Sequence, residues 1–208
     1  MNTRNQGTQQ NETDLVAAAS NGNLEAFNQL VRNHQDLVYN HVSLILGDHA
    51  SADDVTQDTF IKTFKNLKDF RGGALRSWLI KIATNSAYDV LRRSKRRPIQ
   101  PLFPEDENGD PMNSASWLID QSASVQEVVE QNEFSNSIVK LLEELPDVYR
   151  TVLTMIDIQD FDYAEASQAL NIPIGTVKSR LARARFNMKE KLLNQKLRDY
   201  TYLKCQTA

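Results

Sequence analysis

The sequence has a single cysteine, Cys205, so no internal disulfide framework can staple the fold. Its longest apolar runs, LVAAA and VSLIL, fall far short of the roughly 20 residues that cross a bilayer, and no direct membrane insertion is expected. The opening MNTRNQGTQQNE lacks the apolar stretch of a secretory signal. These absences point to a protein of the reducing cytoplasm. Catalytic signatures are missing too: there is no P-loop, no Cys–His nucleophile and no pair of carboxylates in a catalytic context. His34 and His41 are separated by about 10 Å along a helix, too far to share a metal, and are expected at the edge of the core. DIQDFD lacks the glycine and closing glutamate of a calcium loop. No enzyme activity, cofactor, metal or small-molecule substrate is expected.

What is present is charge, and it is segregated. Residues 1–60 carry net −6, residues 61–97 net +9, residues 98–150 net −9, residues 151–173 net −4 and residues 174–208 net +7, within a total of only −3. Two basic blocks flanked by acidic sequence suggest two separate anion-binding surfaces.

Proline divides the chain. Pro98, Pro101, Pro104 and Pro111 fall within or beside the acidic PEDENGD stretch, so a flexible acidic linker is expected over 98–132, with Trp117 and Leu118 as possible anchors. A coil of that length spans about 30 Å. Before it, Phe27, Val31, His34, Val38, His41 and Ile45 recur at helical spacing, with Leu30, Leu37 and Leu44 beside them. SADDVTQDTFIKTFKNL follows, where Ser51 and Asp54 have the spacing of a capping box. This helix is apolar on two sides, Phe60, Ile61, Phe64 and Leu67 on one and Val55 and Thr59 on the other; it is either deeply buried or docks a partner. No strand-period segment stands out. The fold expected is all-α: two small helical domains, an N-terminal bundle and a C-terminal helix-turn-helix domain, joined by the linker.

The first basic block follows a glycine pair, Gly72–Gly73, which serves either a tight turn or a close backbone approach. In the helix WLIKIATNSAYDVLRRSKRR, Leu79, Ala83, Ser86, Ala87 and Val90 face inward. Lys81, Asn85, Tyr88 and Arg92 share the opposite stripe, with Trp78 at its edge, and Arg93, Lys95, Arg96 and Arg97 extend it. Cations neutralise phosphate, amides read base edges and rings stack on exposed bases, so this face suits nucleic acid; a merely solvated face is the alternative.

The second block has helix-turn-helix spacing. Asp162 and Glu165 form a capping-box pattern, Asn171 can end the first helix in a left-handed conformation, and Pro173 is tolerated where the next begins. On that second helix Val177, Leu181, Ala184, Met188 and Leu192 form the inward stripe. Ser179 and Arg183 point away from it with Thr176 close by, Lys178 and Arg185 lie on one flank, and Arg180 lies on the other. An outward face that reads bases between flanking cations is the design of a recognition helix. Phe186 also points outward, without a role in this scheme.

In order, DDVTQDTF, FRGGALRSWLIKIATNSAYDVLRRSKRRP, LPDVYRTVL and DYAEASQALNIPIGTVKSRLARAR closely resemble the two conserved regions of bacterial sigma-70 family sigma factors. With a linker and no third domain between them, the chain is similar to the extracytoplasmic-function (ECF) group. The resemblance implies a disordered tail over 1–13, sigma region 2 over 14–97, a linker over 98–132, sigma region 4 over 133–195 and a C-terminal tail over 196–208. It implies core RNA polymerase as partner, through its beta-prime clamp and beta flap, with Asp54, Gln57 and Asp58 on the clamp-binding helix. Phe70, Arg71, Arg76, Trp78, Lys81, Asn85, Tyr88, Arg92, Arg93 and Arg96 would serve the −10 element. The loop from Phe70 to Leu75, one residue shorter than the commonest family form, would hold a flipped base. Thr176, Lys178, Ser179, Arg180, Arg183 and Arg185 would serve the −35 element. An anti-sigma factor is a further expected partner. A free-standing helix-turn-helix regulator would account for residues 162–190 alone, leaving the first basic block without a purpose.

Overall fold

Caps and glycines set the helix boundaries of the N-terminal half. The computed structural model describes residues 3–96 and 137–206, with side chains placed over 11–96 and 137–194. The linker expected at 98–132 lies outside the described residues. Helix α1 (Thr3–Ser20) includes most of the stretch expected to be a disordered tail. The run lacks proline, and Glu12 reaches His34 Nε2 on the next helix at 2.7 Å, which ties the segment down. Helix α2 (Leu24–Leu46) starts where Asn23 accepts from the Ala26 amide and ends at Gly47, whose φ of 71° needs glycine. A Cβ there would also meet the Glu143 carboxylate at 3.0 Å.

Helix α3 (His49–Asn66) begins earlier than its sequence pattern suggested. Its cap is Asp48, not Ser51: the Ser51 amide donates to Asp48 Oδ2 at 2.9 Å. Hydrogen bonding from the Ser51 side chain, aided by the Ser51 and Ala50 amides, holds that carboxyl below its ordinary pKa. The two apolar sides separate only in part, since Phe60 is half-buried and Leu67, in the turn after the helix, is buried. Ala52, Val55, Thr59 and Thr63 are buried, whereas Ile61 and Phe64 are 46% and 43% exposed. After a single 3-10 turn, Leu67–Asp69, helix α4 (Leu75–Arg96) buries Leu79, Ala83, Ser86 and Ala87 on the side its sequence pattern assigns inward.

In the C-terminal half, α5 covers residues 137–143 and α6 (Asp147–Leu153) runs directly into a π turn, Thr154–Ile158. Helices α7 (Tyr163–Leu170) and α8 (Ile174–Gln206) follow; α8 crosses residue 195 without a break. Asp162 and Glu165 form the expected capping box, and Asn171 ends α7 at φ 52°. Asp162→Ala is expected to cost about 1 kcal/mol, read as a lower thermal midpoint of the full chain. Val177, Leu181, Ala184 and Met188 are buried, as their spacing requires. Among the described residues every regular element is helical, and the fold is all-α.

The two halves touch. Leu44 of α2 and Ile80 of α4 belong to the buried cluster of the C-terminal half, beside Leu142, Val152 and Met155. His41, expected at the edge of the core, is fully buried where the halves meet. The π turn presents Gln159, whose Nε2 donates to the Leu37 carbonyl at 3.1 Å and whose Oε1 lies 2.8 Å from His41 Nδ1. That oxygen only accepts, so Nδ1 carries the proton and Nε2 accepts from Thr84 Oγ1 at 2.8 Å. Burial drives the imidazole pKa from 6.5 down to about 4. A histidine held neutral this way stabilises the fold fully above pH 6.5 and loses that contribution as pH falls toward 4. Between pH 7 and pH 5 the expected loss is about 2 kcal/mol, visible as a lower urea midpoint and absent from a His41→Asn variant.

Candidate nucleic-acid interface

Helix α4 and the loop before it form one face. Gly72 and Gly73 adopt φ of 90° and 96°. Both positions thus need glycine for the turn itself, while added Cβ atoms would meet nothing within 4 Å. The turn brings Phe70 against Trp78, ring centroids 5.2 Å apart. A cavity of about 230 Å³ opens beside them, lined by Phe70, Gly73, Ser77, Trp78 and Lys81, with Gln168 of α7 on its wall. Arg71, Lys81, Asn85, Arg92, Arg93 and Arg96 are exposed, and Trp78 is half-buried. Arg92 pairs with Asp89 at 2.6 Å, an exposed contact that phosphate can replace at little cost.

Arg76 and Tyr88 sit differently from the rest of this set. The Arg76 guanidinium lies 3.8 Å over the Phe161 ring and donates to the Gln159 carbonyl. The Tyr88 hydroxyl donates to Thr151 Oγ1 at 2.8 Å, and burial pushes its phenol above the ordinary value. Both face the C-terminal half.

A second surface lies on α3. Asp54 and Gln57 are exposed, and Asp58 is half-buried, paired with Lys62 at 2.7 Å. Ile61 and Phe64 add uncovered apolar area to the same helix, and Phe64 rests edge-on against Phe27 at 4.9 Å. Acidic groups beside exposed apolar side chains suit a protein partner better than nucleic acid.

The third surface is the first four turns of α8. Lys178, Ser179 and Arg183 are exposed, Thr176 and Arg180 half-buried. Ser179 Oγ donates to the Thr176 carbonyl at 3.0 Å, and Lys178 Nζ lies 5.5 Å from the Tyr163 ring. Arg185 makes a two-pronged pair with Asp157, at 2.6 and 2.9 Å. Phe186 is 63% exposed. Among the described residues no three His, Cys, Asp or Glu side chains gather as metal ligands, and no helix is long and apolar enough to cross a membrane.

Tyr163, Ser77, Gln159 and Arg150 were not singled out from sequence. Tyr163 alone carried a legible signal, an aromatic directly after a helix cap. The others gain their roles from partners more than 80 residues away.

Two basic helical faces in one chain, one of them a helix-turn-helix, define a DNA-binding transcription factor of two parts. Two family models match those parts in order: sigma-70 region 2 over residues 30–97 and sigma-70 region 4 over residues 135–187. The ECF RNA polymerase sigma factor SigW of Bacillus subtilis is 30% identical over 178 residues, covering 85% of this chain and 94% of that protein. The ECF sigma factor SigE of Mycolicibacterium smegmatis is 29% identical over 177 residues, again 85% of this chain but 62% of that longer protein. A co-crystal structure of the sigma factor RpoE with the anti-sigma factor NepR from Bartonella quintana matches with a TM-score of 0.60 at 25% identity, covering 80% of this chain and 96% of that one. The chain belongs to the sigma-70 family of RNA polymerase sigma factors, in its ECF group.

Proposed function

We propose that this chain joins core RNA polymerase in the cytoplasm and directs it to promoters by binding alone, without covalent chemistry of its own. The supporting observation is the presence of two exposed basic surfaces, on α4 and α8, within the two matched sigma regions in that order. Residues 14–97 act as the polymerase- and −10-binding region, residues 133–195 as the −35-binding region, and residues 98–132 as the connector. The acidic and apolar face of α3, with Asp54, Gln57 and Asp58, docks on the polymerase beta-prime clamp; the C-terminal region meets the beta flap.

At the −10 element, Lys81, Arg92, Arg93 and Arg96 hold phosphates, Asn85 reads a base edge, and Phe70 and Trp78 offer rings beside a cavity of base-accommodating character. Arg71, Arg76 and Tyr88 complete this set. Melting becomes favourable when unstacked bases bind better than duplex, offsetting the few kcal/mol of unstacking per step. At the −35 element, Ser179, Arg183 and Thr176 face the bases, and Lys178, Arg180 and Arg185 flank them at phosphate positions. An anti-sigma protein is a fitting regulatory partner, since the RpoE neighbour is bound to one.

The division of roles on α8 predicts different losses. Arg183→Ala should relax −35 specificity by about 1–3 kcal/mol at one base pair, whereas Lys178→Ala should weaken binding on every sequence. Equal losses on all sequences for both variants would refute the division. The function itself is tested by transcription from genomic fragments with core polymerase, with and without the chain. The expected result is new start sites sharing two upstream elements; transcription unchanged by the chain contradicts the reading.

A further inference from the structure

Phe186 is the most exposed large apolar side chain among the described residues, at 63%, and it belongs to neither buried cluster. Single exposed apolar residues are ordinary on protein surfaces, so position decides whether this one has a use. The buried stripe of Val177, Leu181, Ala184 and Met188 fixes the inward side of α8. Phe186 stands on the outward side. At about 100° per residue it lies about 20° round the axis from Ser179 and about 60° from Arg183. It is three residues beyond Arg183, about 4.5 Å along the helix, against about 3.4 Å between successive base pairs. Helical side chains lean toward the N-terminus, so the ring covers the preceding turn. There Ala182 is exposed and small enough to leave it room.

We infer that Phe186 is a specificity-determining residue: its ring reads a thymine methyl group one base pair beyond the pair that Arg183 reads. The inference rests on the reading of α8 as the −35 recognition helix and adds one base pair to what that helix distinguishes. A phenyl ring offers no hydrogen bond, so it cannot tell donors from acceptors on a base edge. What it can distinguish is the C5-methyl of thymine, the one apolar group that the major groove presents. Cytosine at the same place would set its N4 amino group against the ring, desolvated and without an acceptor. The surroundings favour DNA over protein as the occupant. Arg183 and Lys189, one turn to either side, are exposed cations, with Glu190 the one acid beside them. Leu193, the next exposed apolar side chain along α8, is two turns away, about 10.5 Å, too far to make one patch with the ring. A docking protein would meet charge around a single ring, whereas a DNA groove offers phosphates for the cations and a methyl group for the ring.

The test uses the full chain assembled with bacterial core RNA polymerase, and selects bound fragments from duplex DNA of randomised sequence. Arg183→Ala identifies the base pair that Arg183 reads, as the position whose preference it removes. The parent complex should prefer thymine on one strand at the neighbouring pair, and Phe186→Ala should flatten the preference there and nowhere else. Phe186→Leu, which keeps an apolar side chain, should retain part of it. These variants keep the fold, because Phe186 is exposed. A second arm replaces that one thymine by uracil, which removes the methyl group alone. The parent complex should then bind about fourfold more weakly, the worth of one methyl group withdrawn from water. The Phe186→Ala complex should bind the thymine and uracil duplexes equally. A thymine preference and a uracil sensitivity that survive Phe186→Ala overturn the inference and leave the −35 reading standing. A loss of equal size on every sequence overturns it too, and places the ring against a sugar or a polymerase surface. Recovery of no upstream motif by the parent complex also overturns it, and shows that the recognition-helix reading failed rather than the role of Phe186.

Discussion

Arg150→Ala is expected to destabilise the chain by about 3–5 kcal/mol, more than any other single substitution considered. Arg150 is 7% exposed, and its guanidinium donates to the Ile45 carbonyl at 2.6 Å, to Glu143 O at 2.6 Å and to Leu145 O at 3.1 Å. Ile45 O lies in the last turn of α2, where carbonyls lack helical partners, and Glu143 O closes α5. One cation thus caps two helix ends that belong to different halves, with the favourable sign for both macrodipoles. Alanine would leave those acceptors without their donor and open a cavity. Desolvation draws the Arg150 pKa down, but a guanidinium stays charged at any working pH. Lysine keeps the charge and loses the fork, so Arg150→Lys should fall between alanine and the parent. Urea unfolding of the full chain measures both; a loss below about 1 kcal/mol for alanine would show that water replaces the guanidinium without penalty.

Asp54→Lys with Asp58→Lys should weaken association with core polymerase by about 100-fold or more, equivalent to about 3 kcal/mol. The fold should survive, because Asp54 is exposed and the Asp58–Lys62 pair is a partly exposed ion pair of small worth. Reversal replaces an attractive charge pattern by a repulsive one beside the apolar contact of Ile61 and Phe64. DNA binding by the α7–α8 unit should be unchanged, since α3 contributes none of its residues. Polymerase titration against the labelled double variant reads the loss directly. Undiminished association would remove α3 from the docking surface.

Much of this was legible in the sequence because it depends on local rules. The inward stripes of α2, α4 and α8 follow from 3.6-residue spacing, and the Asp162–Glu165 box and the Asn171 stop follow from short-range hydrogen bonding and backbone sterics. The two sides of α3 were visible as two apolar stripes, but which one the core takes depends on where α2 and α4 lie. Ser51 resembled a cap because serine and aspartate share that chemistry; Asp48 takes the role because it is the residue directly before the helix. His41 and Arg150 escaped for a different reason. Their partners, Gln159 and Ile45, are 118 and 105 residues away, so no local pattern distinguishes them from an edge histidine or a surface arginine. The same holds for the closed contact of the two halves, which is written in Gln159, Thr151 and Asp147, residues unremarkable in their own segments.

The most direct test of the account is to mix the purified full chain with bacterial core RNA polymerase and follow it by size-exclusion chromatography. The chain should co-elute with the polymerase at one copy per enzyme, and should return to its own position when Asp54 and Asp58 carry lysine. Separate elution of the parent chain and the polymerase, with sequence-specific duplex binding retained, would contradict a sigma subunit and leave a free-standing helix-turn-helix regulator.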